Sequence, residues 1–195
     1  MNTIVHLHHD SPIGPLMIAA SPRGLRALYM QQHRHVADAR PDGWVPVAGF
    51  DGPQRTLLDR AVRQLDEYFA GERMAFDLPV DVEGSPFQRT VWEGLARIPY
   101  GETISYGELA RRIGNARAVR AVGLANGRNP VSIVVPCHRV IGADGSMTGY
   151  GGGVDRKVFL LALEARCVAV PRFGQDTTAG LTGLPRKAVS RQSGF

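Results

Sequence analysis

The sequence predicts an α+β fold in two parts, a small sheet carrying one helix and then a helical unit containing a helix-turn-helix. Three observations lead there. Residues 3–8, 15–20 and 25–30 are short and rich in Val, Ile and Leu, and Ser11-Pro12-Ile13-Gly14 and Ser21-Pro22-Arg23-Gly24 separate them, the spacing of an antiparallel meander. Leu57, Leu58, Ala61, Val62, Leu65, Tyr68 and Phe69 then recur at helical spacing, ending at Gly71, a suitable helix C-terminal cap. Beyond residue 84, two helix-start signatures precede a third helical stretch rich in Ala and Gly.

Between these landmarks the chain reads as follows. Residues 36–52 hold several Pro, Gly and Asp and no period, so they are predicted as loop. Residues 72–84 read as a linker or an extended crossing between domains. Ser85-Pro86-Phe87-Gln88 combines a Ser cap, Pro at the first helical position and Gln three residues on, with Val91, Trp92 and Leu95 as the buried face and Pro99 as the stop. Ser105-Tyr106-Gly107-Glu108 reads as a second capping box, opening a helix through Leu109, Ala110 and Ile113 to Gly114. Residues 117–125 form the next helix, and the two make a helix-turn-helix candidate. The apolar run 131–135 is predicted as a buried strand leading into Pro136-Cys137-His138-Arg139. Residues 171–195 are Gly-, Thr- and Ser-containing, basic and aperiodic, and are expected to be disordered.

Composition narrows the function classes. No hydrophobic run approaches the roughly 18 residues that a membrane helix needs, and MNTIVHLHHD lacks the pattern of a secretory signal. A soluble, cytoplasmic protein is expected, associated with the nucleoid if bacterial. Two cysteines, Cys137 and Cys167, are too few for a disulfide framework and leave room for one reactive thiol. The net charge of +5 is uneven: residues 1–83 hold 8 Lys+Arg against 11 Asp+Glu, and residues 84–170 hold 11 against 6. A basic second half suits a polyanion such as nucleic acid, or simply a solvated basic face.

Two features bear chemistry. Ala116, Ala118, Ala121, Gly123 and Ala125 give residues 117–125 a slim profile flanked by Arg111, Arg112, Arg117 and Arg120. Such a helix fits either close approach to a nucleic-acid groove or tight packing on a neighbour. Cys137 has His138 beside it and Arg128, Arg139 and Lys157 nearby in sequence, surroundings expected to lower a thiol pKa. Neighbouring strand residues point to opposite faces, so a Cys137–His138 dyad needs a bridging water or a distorted backbone. Spacing alone leaves open that the two residues are unrelated.

Pro136-Cys137-His138-Arg139-Val140, with Asn126-Gly127-Arg128-Asn129-Pro130 before it and Gly149-Tyr150-Gly151-Gly152-Gly153 and Lys157 after it, closely resembles the O6-alkylguanine-DNA alkyltransferases, direct-reversal DNA repair proteins. The likeness runs from Ser85 to Glu164, and Ser11-Pro12-Ile13-Gly14-Pro15-Leu16 resembles the family's first hairpin. It implies a ribonuclease-H-like domain over residues 1–80 and a winged helix-turn-helix alkyltransferase domain over residues 81–170. The implied reaction is irreversible, single-turnover transfer of the alkyl group of O6-methylguanine, and of O4-methylthymine as a further candidate, to Cys137.

By resemblance, His138 takes the thiol proton through a water, Glu164 orients and charges His138, and Asn129 braces the turn and the active-site hydrogen bonds. Tyr106 matches the hydroxyl that helps protonate the departing guanine. Arg120 matches the finger that holds the space of the extruded nucleotide, on a helix entering the minor groove with Ala121, Gly123, Arg117 and Arg128 as further DNA contacts. Tyr150, Gly151 and Gly152, with Val140 and Lys157, match the substrate-binding residues. The implied partner is double-stranded DNA bound by a monomer, singly or in several copies, with no membrane and no cofactor.

The chain also departs from the pattern. Some relatives carry a serine at the position of Gly151, so any contact to the substrate oxygen here must come from backbone. Some bind a structural zinc in the N-terminal domain, whereas residues 1–83 hold no cysteine; His6, His8, His9, His33 and His35 are taken as incidental and no metal is expected. Two rivals remain at this stage, a non-catalytic alkylation-damage binder and a cysteine hydrolase using Cys137, His138 and Glu164. A Cys137–Cys167 disulfide would disable either chemistry.

Overall fold

The computed structural model describes residues 3–31, 33, 43–147 and 149–169. The expected disordered tail, His35 and the first part of the expected 36–52 loop lie outside them.

β1 (Val5–His9), β2 (Leu16–Ser21) and β3 (Gly24–Met30) form the meander, with Val5 opposite Ala20 and Leu16 opposite Met30. A fourth strand, β4 (Val45–Pro46), lies where loop was predicted and pairs in parallel with β1, giving the order β3-β2-β1-β4. Two residues are too few to show a period, and Pro46 sits on an edge, where a missing N–H costs no ladder bond. α1 (Pro53–Phe69) starts earlier than its apolar period, because Pro53 occupies the first turn after Gly52. It buries Leu58, Ala61, Leu65 and Tyr68, and Gly71 adopts φ +79° just past its end.

The 72–84 segment is an extended crossing, bonded to the sheet. Leu25 N donates to Pro79 O and Asp81 N to Leu25 O, each at 2.8 Å, while Asp81 accepts from Ser21 and Arg23. Gly24 permits this approach, since a Cβ there would stand 2.7 Å from the Pro79 carbonyl oxygen. α2 (Pro86–Ala96) begins with the full capping box of Ser85 and Gln88. At α3 (Tyr106–Arg112) only half of the second box forms: Ser105 Oγ accepts from Glu108 N, but the Glu108 carboxylate binds Arg111 and Arg112 instead. α4 (Val119–Gly127) lies two residues later than predicted, after a turn closed by Ala118 N to Asn115 O. Short parallel strands β5 (Ile104–Ser105) and β6 (Val140–Ile141) and the closing helix α5 (Val154–Ala169) complete the described chain.

The 131–135 run corrects the sequence prediction. Val131 pairs with Leu28 of β3, but the chain then folds back, with Val135 N donating to Val131 O and Ile133 at φ +71°. A continuous apolar run reports burial rather than extension, and these residues, all buried except the half-buried Val134, lie in a tight turn. Cys137 therefore opens a 3-10 turn, Cys137–Arg139, instead of ending a strand. One hydrophobic core runs through both halves, from Val5, Leu28 and Leu65 to Trp92, Val140 and Leu163.

Candidate active site

The turn at 131–135 and the 3-10 turn after it place Cys137 inside the protein, 3% exposed. Asn129 holds both limbs of this bend. Its Nδ2 donates to Val135 O at 2.8 Å and to Cys137 Sγ at 3.0 Å, while its Oδ1 accepts from Val131 N at 3.1 Å. Burial holds the thiol above its ordinary pKa, outweighing the Asn129 Nδ2 bond to Sγ that favours the thiolate. The expected lowering is thus reversed, and two of the basic residues behind it face elsewhere: Arg128 is exposed and Arg139 is engaged by Glu164. At rest Cys137 is a protected thiol, and its proton must leave as it reacts.

His138 and Glu164 are both fully buried, and His138 Nε2 lies 2.9 Å from Glu164 Oε1. Glu164 also accepts from Arg139 Nε at 2.9 Å, Arg139 Nη2 at 2.9 Å, the Tyr68 hydroxyl at 2.8 Å and Gly101 N at 3.0 Å. Burial alone would raise this carboxyl, but the donors from His138 and Arg139 overcome it and bring it down to about 2, so it is ionised. Burial pushes His138 below its ordinary value against the pull of Glu164, so its imidazole is neutral. An anionic Glu164 requires the proton on Nε2, which leaves Nδ1 deprotonated; Nδ1 is buried without a hydrogen-bond partner among the described residues. A neutral base adjacent in sequence to the thiol, with an open acceptor nitrogen, is the consequence.

Lys157, also fully buried, donates from Nζ to Val140 O at 2.6 Å. Burial lowers its ammonium to about 8, while the negative form of Cys137 favours its charge. It is a cation available to a developing thiolate. Tyr106 opens α3, with its ring beside Gly123 and its hydroxyl beside Gly149, where an added Cβ would come within 2.5 Å of the oxygen. Burial, with the negative form of Cys137 acting in the same direction, raises this phenol to about 12, so it remains a proton donor. Tyr150, Gly151 and Gly152 are buried against the end of β3: Tyr150 Oη meets Met30 Sδ at 3.8 Å, and a Cβ on Gly151 would strike the His33 ring and stand 2.9 Å from Gly127 O. This chain has no room for a side chain at 151.

Arg117 in the turn before α4, Arg120 and Ala121 on its outer side and Arg128 just past its end are exposed, while Val122, Ala125 and Asn126 face inward. Trp92 Nε1 donates to Ala125 O at 2.9 Å, so the small residues serve packing on one side and leave a low outer face on the other. Gly123 is half-buried, and Leu124 is 69% exposed on the same outer face.

Sequence reasoning missed Arg139, Tyr68 and Gly101 as partners of Glu164. Arg139 drew notice only as a basic neighbour of the thiol, and Tyr68 only as one residue of an apolar helix face. Of the histidines, His9 pairs with Asp66 at 2.7 Å and His33 packs on Gly151. Both cysteines are free thiols.

The known proteins that this chain resembles decide its family. Residues 4–82 match the ribonuclease-like domain of 6-O-methylguanine DNA methyltransferase, and residues 86–166 match the DNA binding domain of the same family. The chain is a member of the 6-O-methylguanine DNA methyltransferase family. It is 49% identical over 158 residues to the methylated-DNA–protein-cysteine methyltransferase of Methanosarcina acetivorans, covering 81% of this chain and 96% of the relative. With the enzyme of the same name from Mycolicibacterium paratuberculosis it shares 54% identity over 157 residues, 80% of this chain and 90% of the relative. The crystal structure of Mycobacterium tuberculosis OGT in complex with DNA superposes with a TM-score of 0.73 at 48% identity, covering 85% of this chain and 94% of that one. The family's two parts correspond to the two halves described above, in an α+β chain. Among the described residues no helix is long and apolar enough to cross a membrane.

Proposed function

We infer that this chain repairs alkylated DNA by direct reversal, as a single-turnover methylated-DNA–protein-cysteine S-methyltransferase acting on O6-methylguanine in duplex DNA, with O4-methylthymine a further candidate. The buried His138–Glu164 pair, next in sequence to the Cys137 thiol and with Nδ1 of His138 open, is the observation that carries this reading.

In the proposed reaction the Cys137 proton passes to His138 Nδ1 through a water, and Glu164 and Lys157 balance the charges that appear. The sulfur attacks the methyl carbon in line, forming the S–C bond as the C–O6 bond breaks. The electron pair of that bond stays on the guanine, and the Tyr106 hydroxyl relieves it by donating a proton. The product is a thioether, which has no easy hydrolytic exit, so each molecule acts once.

A thiol 3% exposed is out of reach of a stacked base, so the nucleotide must leave the helix. In this reading the α4 face lies in the minor groove, Arg120 fills the vacated space, and Arg117, Arg128, Ala121 and Gly123 line the contact. The Tyr150–Gly152 backbone holds the flipped base, next to Val140 and Lys157. Residues 1–80 then support the DNA-binding and alkyltransfer domain of residues 81–170. The chain works as a monomer, alone or in several copies along DNA, in the cytoplasm, and at the nucleoid if its source is bacterial.

The test is intact-protein mass and peptide mapping after incubation with a duplex containing O6-methylguanine, with Cys137→Ser as control. One added methyl on Cys137, with guanine restored, is the expected outcome. Unmodified protein that still binds the duplex would replace this reading with a non-catalytic damage binder.

A further inference from the structure

The relay carboxylate is held from both halves of the molecule. Glu164 comes from α5 and His138 and Arg139 from the 3-10 turn, but the Tyr68 hydroxyl reaches it from α1, 96 residues away in sequence, and donates at 2.8 Å. Tyr68 is completely buried, and its ring packs against Phe69, Phe76 and Tyr100 at centroid distances of 5.4, 5.4 and 6.0 Å, which leaves it little freedom to aim its hydroxyl elsewhere. The bond falls on Oε1, the same oxygen that His138 Nε2 contacts. Arg139 Nη2 shares Oε1, while Arg139 Nε and Gly101 N occupy Oε2.

We propose that Tyr68 is a positioning residue for alkyl transfer: by donating to Glu164 Oε1 it withdraws charge from the atom that polarises His138, and so sets the basicity of the imidazole from the N-terminal half. This role rests on the function inferred above. Donors to one oxygen compete for its charge, so a carboxylate relieved by Tyr68 pulls less on the proton at His138 Nε2. His138 then stays neutral, the form able to take a proton from the thiol. Arg139 and Tyr100 also face Glu164, Arg139 and Lys157 act on His138, and Lys157 and Cys137 act on each other; none of these carries the competition from the N-terminal half. The N-terminal half thereby acts on the chemistry as well as on the fold.

Tyr68→Phe removes the hydroxyl and keeps the ring. Without the competing donor, Glu164 Oε1 stabilises the imidazolium more, His138 becomes more basic, and the acid limb of the transfer rate moves to higher pH. The measurement is the single-turnover rate of methyl transfer from an O6-methylguanine duplex to the full chain between pH 5 and 9, for wild type and variant. The limb is expected to rise by about half a pH unit, with a roughly threefold slower rate below it. A structural defect alone would scale the rate without moving the limb.

Tyr68 replaced by 3-fluorotyrosine is a stronger donor of nearly the same size and is expected to move the limb the opposite way, which covers the case of a Phe variant that does not fold. Profiles that coincide with wild type would overturn the proposal. Failure of the wild type to take up methyl on Cys137 would instead overturn the function itself.

Discussion

The outer face of α4 and the pocket around Glu164 both rely on arginine, but in opposite ways. Arg117, Arg120 and Arg128 stand in solvent, whereas Arg139 is 6% exposed with its guanidinium spent on Glu164 and on Ile98 O at 2.6 Å. Exposed charges are free to meet phosphates and are screened by salt. A buried charge has one partner set and keeps it, because leaving it unpaired is costly. In the proposed function this difference divides the labour: the surface is assigned to finding and opening DNA, and the interior to moving one methyl group.

Removing the nucleophile should separate the two regions most sharply. Cys137→Ala is expected to abolish methyl uptake while duplex affinity stays within about twofold, since the thiol is buried and the arginines beside α4 that would meet phosphates are exposed; mass spectrometry and a gel-shift titration check the two halves of that statement.

Next in size is the interior charge set. Glu164→Gln keeps the volume but strands the Arg139 cation, and should destabilise the fold by about 3–5 kcal/mol, measured by urea unfolding. The same group governs acid stability. Its folded pKa of about 2 lies below the ordinary 4.5, so its contribution is complete above about 4.5 and is lost as pH falls from there towards 2. The variant should therefore lose the part of the acid-unfolding curve that wild type shows in that window.

The smallest effect belongs to the surface. Arg117→Ala should weaken binding to any duplex sequence alike and reduce the slope of log affinity against log salt by about 1, with the fold unaffected. A sequence-dependent loss would mean that this residue reads bases.

Most of the fold was legible in the sequence, for local reasons. The meander and α1 announce themselves by turn residues and apolar period, and Ser85-Pro86-Phe87-Gln88 forms the capping box it spells. What misled was the run at 131–135, where Val and Ile signal burial in any conformation, and Ile133 at φ +71° follows Pro130 and Ser132, whose bonds to Leu28 of β3 no local pattern contains.

At the site, the motif around Cys137 and the resemblance named Cys137, His138, Asn129 and Glu164 as candidates, and the structure brings these four side chains into two linked clusters. The Tyr68 and Gly101 contacts to Glu164 were not legible, because they span 96 and 63 positions of chain and depend on how the halves pack. The thiol pKa was misjudged for a related reason: sequence neighbours supply charge only if they face the group, and burial is a property of the folded whole.

The central claim is that search and chemistry are separable, and one paired measurement addresses it: transfer rates for Arg120→Ala and His138→Ala, each with an O6-methylguanine duplex and with free O6-methylguanine base. Arg120→Ala is expected to slow the duplex reaction by at least about tenfold and leave the free-base reaction at the wild-type rate, whereas His138→Ala slows both. An Arg120→Ala variant that reacts with the duplex as fast as wild type, or that loses both reactions equally, would contradict the division of labour.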